Sequence, residues 1–148
     1  MPVDPLVNET LIEKAKAKAA LYGLDPALVC AVCEQESGWD CWAMRYEPAF
    51  YVRYVLKIEG LTDTERQARA TSWGLMQVMG EVARELGFSH RFLAMLCDPD
   101  IGLTVGCNKL SKCLAAEGGD EAKALLRWNG GGNPEYPLQV IARKDKYK

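Results

Sequence analysis

The chain has 148 residues, 49% of them hydrophobic, and a formal net charge of −2. That length suits one domain around one core, and that composition excludes a disordered chain. The near-balanced charge lacks the basic footprint of a nucleic-acid binder, and no apolar run reaches the length of a membrane span. Helical periodicity dominates, with no convincing strand ladder, so the expected fold class is all-α or α-dominated over residues 1–148. A first helix is expected from about Pro5 to Tyr22, stopped by Gly23. Asp25-Pro26 reads as the cap and first turn of a second helix, which runs to Ser37 and ends at Gly38. A short aromatic helix follows Pro48, through Phe50 to Lys57, with Gly60 as its stop. Thr62 to Ala70 reads as an exposed charged helix. Leu75, Met79, Val82 and Leu86 form the apolar stripe of another, ended by Gly87. Ser89 can cap a turn through Leu96. Asp98 or Asp100 then opens a long helix bearing Leu103, Cys107, Leu110 and Leu114, broken by Gly118-Gly119. Asp120 starts a helix to about Trp128, residues 130–134 form a loop, and Leu138 to Lys148 is a helical, basic tail.

Six cysteines are present: Cys30, Cys33, Cys41, Cys97, Cys107 and Cys113. The even count invites a disulfide reading. Cys107 and Cys113 share one expected helix, where the rise alone separates them by ~9 Å, too far to bridge. Cys30-x-x-Cys33 suits a redox pair or half a zinc site, but a second C-x-x-C is missing and His90 is the only histidine. The stretch Met1 to Ala20 is charged and alternating, without the apolar run of a secretory signal. Buried, reduced thiols are therefore expected, and no metal.

Glu36 is the most informative single residue. It follows Leu28 and Val32 at steps of four and Val29 at seven, so it continues an apolar stripe instead of facing water. It also sits in the last turn of its helix, where the dipole disfavours a negative charge. Desolvation and the dipole both favour the protonated acid, the state a glycosidase needs to protonate a departing sugar oxygen. The competing reading is a rim carboxylate paired with Arg45 or Arg53.

Three motifs occur in order: Glu36-Ser37, Gly74-Leu75-Met76-Gln77, and Trp128-Asn129-Gly130-Gly131. Together they resemble the soluble lytic transglycosylases and their goose-type lysozyme relatives, over roughly Leu24 to Ala142. In that family a Glu-Ser pair ends a helix, a Gly-Leu-Met-Gln turn enters the next, and an Ala-Tyr-Asn-x-Gly stretch comes near the end. The stretch Asp98-Pro99-Asp100-Ile101 resembles the opening of the family's long helix. The resemblance implies a compact lysozyme-like helical domain with Glu36 as catalytic acid. It implies that Ser37 fixes the helix end and that Met76, Gln77 and Asn129 line the substrate cleft.

The sequence departs from the family twice. Trp128 stands where tyrosine is usual, which removes a hydroxyl from the neighbourhood of the acid and leaves a donor nitrogen. Trp128 is either a core residue or part of the cleft wall. The connection between Ser37 and Gly74 is also longer than usual, and holds Trp39, Trp42, Tyr46, Glu47, Phe50 and Tyr51. These aromatics, Tyr46 among them, could stack on sugar rings or bury themselves as a lid. Glu47 is either a second active-site carboxylate or a favourable charge at a helix start beside Pro48.

The resemblance implies a muramidase that cuts the β-1,4 bond between N-acetylmuramic acid and N-acetylglucosamine in bacterial peptidoglycan, without metal or organic cofactor. The expected product carries a 1,6-anhydro-muramic end. The alternatives are an inverting hydrolase with Glu36 as acid and Glu47 as base, or a wall-binding module without turnover. The expected setting is that of a monomeric phage endolysin, made in the host cytoplasm and released to the wall by another protein, with no nucleic-acid partner and no membrane insertion.

Overall fold

The computed structural model describes residues 5–148, so Met1–Asp4 of the N-terminal stretch lie outside the described residues. Among the described residues eight α-helices occur in chain order: α1 Pro5–Leu21, α2 Pro26–Ser37, α3 Pro48–Phe50, α4 Asp63–Arg69, α5 Gly80–Glu85, α6 Pro99–Ala116, α7 Glu121–Trp128 and α8 Tyr136–Ile141. The fold is α-dominated and lysozyme-like, as expected from the helical period and the motifs. Among the described residues no helix is long and apolar enough to cross a membrane.

The helix starts follow from side-chain caps. Each cap satisfies one of the amide donors that a first turn leaves without a partner. Asp25 accepts from the Ala27 amide at 2.9 Å, Thr62 from Glu65 at 3.2 Å and Asp120 from Lys123 at 3.0 Å. Of the two candidate caps for α6 it is Asp98 that serves, accepting from Ile101 at 3.1 Å ahead of Pro99. Gly38, in the left-handed region, stops α2. The turn expected to be capped by Ser89 is instead a 3₁₀ segment at Leu93–Cys97, with Phe92 at its start.

Two expectations need correction. The stripe Leu75, Met79, Val82 and Leu86 is not one helix: only Gly80–Glu85 is helical. Gly74 and Gln77 both have positive φ, 74° and 50°, which turns the chain before the helix begins. A Cβ on Gly74 would also overlap the Leu96 carbonyl oxygen, so the turn needs glycine for both reasons. A small antiparallel sheet is also present, in the order β1 Met44–Tyr46, β2 Thr71–Trp73 and β3 Val78–Met79. Its register pairs Arg45 with Ser72 and Trp73 with Val78. Strands of two or three residues are too short to show alternation in sequence. The long Ser37–Gly74 connection is thus an excursion through β1, α3, a π-helical turn at Tyr51–Val55, α4 and β2.

The core is one cluster. Leu28, Val29 and Val32 of α2 meet Leu103, Cys107 and Leu110 of α6, Leu125 and Trp128 of α7, and Val140 of α8. Each fully buried leucine contributes roughly 1.5–3 kcal/mol. α1 presents Leu11, Ala15 and Ala19 at steps of four, and packs on α2 and α6. Five cysteines are buried and Cys41 is half-buried. Burial pushes the Cys30 thiol up to about 11 and Cys107 to about 12, which keeps both protonated and poorly nucleophilic. A 3₁₀ segment, Lys144–Tyr147, lies back across α2.

Candidate active site

Glu36 is half-buried at the last turn of α2, two positions before the helix stop at Gly38. Neither arginine named as a possible partner holds it: Arg45 pairs with Glu47 at 3.0 Å, and Arg53 lies over the Tyr54 ring. Two donors converge on Glu36 Oε1 instead. The Tyr136 hydroxyl donates at 2.6 Å and the Trp128 indole Nε1 at 3.1 Å. The rings carrying both donors are buried, Tyr136 4% exposed and Trp128 5%, so their aim is set by packing. Burial, then the Glu36 charge and the shared hydrogen bond, raises the Tyr136 phenol far above its ordinary range. It remains a donor at any working pH.

Trp128 therefore belongs both to the core and to the Glu36 group. Tyr136 was not anticipated: the hydroxyl that the family's third motif would supply from position 128 comes instead from the start of α8. The only sequence signal was a tyrosine just after the glycine-rich loop, in front of Pro137. Lys109 was also missed. Its ammonium lies 4.1 Å from the Trp128 ring centroid and donates to the Trp128 carbonyl at 3.1 Å.

Ser37 ties the end of α2 to the Gly74–Gln77 turn. Its hydroxyl lies 3.0 Å from the Cys33 carbonyl and 2.8 Å from that of Leu75. Gln77 spends its side chain on the turn as well: Nε2 donates to the Ala43 and Gly74 carbonyls, both at 2.9 Å. Met76 is fully enclosed, its side chain filling the space that a Cβ on Gly106 would take. Asn129 follows α7, with its amide nitrogen 3.5 Å from the Asn133 carbonyl across the glycine-rich loop.

Tyr46 and Glu47 form a different group, on β1 and the start of α3. Tyr46 is exposed and meets Tyr51 edge-on at 6.3 Å between ring centroids. Glu47 is half-buried against Arg45, and no hydrogen bond links it to the Glu36 group among the described residues. Trp42, Met44 and Tyr46, at alternate positions, are all exposed beside this strand. A cavity of about 680 Å³ is lined by Arg69, Arg84, His90 and Phe92, but not by Glu36. Arg69 and Arg84 are taken up there by Glu65, Glu81 and backbone carbonyls.

The two donors hold Oε1 and fix the direction of the carboxyl. The helical, lysozyme-like fold and the family it belongs to define a class: enzymes that break glycosidic bonds. The family model described as the transglycosylase SLT domain matches residues 13–144, and the chain belongs to that family. Its members are lytic transglycosylases that cleave glycosidic bonds in peptidoglycan. No solved structure matches the chain.

Proposed function

We propose that Glu36 is the acid, and then the base, of a reaction that cuts the β-1,4 bond between N-acetylmuramic acid and N-acetylglucosamine and leaves a 1,6-anhydro-muramic end. The observation that carries this reading is the convergence of Tyr136 and Trp128 on Glu36 Oε1. Oε2 then carries the proton and gives it to the departing sugar oxygen. The carboxylate left behind is held by two donors already in place, so no reorganisation is needed as charge develops. It next takes the proton from the muramic C6 hydroxyl. That hydroxyl is tethered to the reacting sugar, and its proximity favours it over water.

Inverting hydrolysis needs a second carboxylate on the opposite ring face, free to hold a water, ~6.5–9.5 Å from the acid. Glu47 is paired with Arg45 at 3.0 Å, which supports a structural role for it beside β1. The exposed Trp42 and Tyr46 are apolar faces on which sugar rings can stack. Gln77 and Ser37, by fixing the turn and the helix end, support the frame of the cleft. We assign Met76 the inner wall behind that turn and Asn129 the loop beside Trp128. In the phage-lysis setting attached to this chemistry, lysis of a producing host requires a separate membrane-permeabilising protein. Expression with and without one tests that setting.

The decisive experiment is Glu36→Gln, scored by muropeptide release from purified peptidoglycan and by mass spectrometry of the products. Glutamine keeps the shape but cannot donate the acid proton, so a loss of ~10²–10⁴-fold is expected. More than a tenth of wild-type release from a folded variant overturns the assignment. Glu47→Gln should retain most activity and give the same anhydro ends. Water-added ends, with activity lost in Glu47→Gln, would make the protein an inverting muramidase.

A further inference from the structure

Helix α6 carries Lys109 on a face otherwise made of small or apolar groups, Gly102, Gly106 and Cys113, at steps of four, three and four. A lysine on such a face is costly unless its ammonium has partners there. Burial pulls the ammonium below its ordinary range, while Cys113 and then Glu36 act in the opposite direction. The ammonium makes two contacts with one residue. Nζ sits 4.1 Å from the Trp128 ring centroid and donates to the Trp128 carbonyl at 3.1 Å. That carbonyl is among the last of α7, which the helix itself cannot satisfy. One ammonium therefore closes the end of α7 and presses on the face of the indole that the same residue carries. On the far side of this chain of contacts, the indole Nε1 donates to Glu36 Oε1 at 3.1 Å.

We propose that Lys109 is a positioning residue for the reaction: it acts through Trp128, fixing the indole so that Nε1–H stays aimed at Glu36. The proposal rests on the reading of Glu36 as the acid. A cation over the ring face holds the indole by its quadrupole and draws density from the ring, which strengthens the N–H as a donor. The backbone bond prevents α7 from fraying at the point where the ring leaves it. Tyr136, the other donor to Oε1, comes from α8 and does not depend on Lys109.

The test uses Lys109→Met, Lys109→Arg, Trp128→Phe and the double variant Lys109→Met with Trp128→Phe. Turnover is measured on soluble glycan strands, with kcat and KM separated. The Trp128 indole N–H resonance, assigned by its loss in Trp128→Phe, is followed in the resting enzyme. Lys109→Met should lower kcat by about three- to thirtyfold, the range of a desolvated cation–π contact, with KM within twofold. It should also move the indole resonance toward that of a weaker hydrogen bond. Lys109→Arg, which keeps a cation able to stack, should restore most of both. In the Trp128→Phe background, Lys109→Met should cost less than twofold further. An equal loss in both backgrounds, an unmoved resonance, or a kcat within twofold of wild type each overturns the proposal. If Lys109→Met does not fold, Lys109→Arg decides: a wild-type resonance and kcat support the proposal, and a lost resonance overturns it. Glu36→Gln separates this from the underlying reading, because an active Glu36→Gln refutes the acid assignment while the resting-state resonance still reports on Lys109 and Trp128.

Discussion

Removing one oxygen atom, by Tyr136→Phe, should lower turnover while leaving the fold intact. The Tyr136 hydroxyl lies 2.6 Å from Glu36 Oε1, and its ring is 4% exposed, so phenylalanine fits the same space. On the proposal that Glu36 is the acid, that bond is an ordinary one, worth ~1 kcal/mol, until the proton leaves. Once the proton has gone to the sugar, the same bond reaches a carboxylate and is worth ~1.5–3 kcal/mol. Because the charge appears only as the bond breaks, the loss falls on kcat and not on KM. The indole bond at 3.1 Å remains and keeps Glu36 in place. The difference, ~0.5–2 kcal/mol, at ~1.4 kcal/mol per factor of ten, should lower kcat by roughly two- to thirtyfold. The assay is the initial rate of muropeptide release at several substrate concentrations, beside a urea titration of stability. Tyr147→Phe is the control, since it removes an equally short bond, 2.6 Å to Glu34, away from the Glu36 donors. It should lower stability by ~1.5–3 kcal/mol, because Glu34 is held ionised, and leave kcat unchanged. A kcat for Tyr136→Phe equal to that of wild type would refute the reasoning.

Gly74→Ala should destabilise the fold by ~2–4 kcal/mol, since it combines a left-handed φ with overlap on the Leu96 carbonyl; a urea midpoint near that of wild type would contradict this. Glu34 gives a pH prediction. Burial alone would raise its carboxyl, but Lys146, Tyr147 and Arg143 more than offset that and hold it at about 2, against an ordinary 4.5. A carboxyl depressed on folding contributes stability above its unfolded value and loses it as pH falls toward the folded one. Stability should therefore drop between about pH 4.5 and 2, and Glu34→Gln should flatten that drop in thermal melts across the range; parallel curves would show that another group is responsible.

The best-read part of the sequence was α2. Asp25, Pro26 and Gly38 carry its limits in their own backbone preferences, and the period of Leu28, Val29 and Val32 gives Glu36 its direction. The errors lie where local pattern and tertiary contact disagree. Leu75 and Met79 satisfy a helical period, yet the left-handed residues 74 and 77 bend the chain, and the contacts that favour this bend come from Leu96 and Ala43. Met76 is fully enclosed against Gly106, thirty positions on, a contact that its motif does not show. Tyr136 could not be placed from sequence because its partner, Glu36, is 100 residues away, across a loop whose path no periodicity fixes. Lys109 was hidden for the opposite reason: a lysine among small residues on a helix reads as solvent-facing until the ring beneath it is known.

The Lys144–Tyr147 segment also bears on the order in which the molecule can be completed. Glu34, two residues before Glu36, is gripped by Arg143, Lys146 and Tyr147, and the indole of Trp39 donates to the Tyr147 hydroxyl at 3.0 Å. These partners are separated from Glu34 by up to 113 positions, and Tyr136 from Glu36 by 100. During synthesis the chain emerges at ~5–20 residues per second. Several seconds therefore pass in which α2 exists without its clamp and Glu36 without its hydroxyl donor. A ribosome-bound or truncated chain ending before residue 136 carries Glu36 but not the surroundings that hold it. On the reading of Glu36 as the acid, wall-cutting ability is thus a property of the completed topology, with the late segments closed over α2.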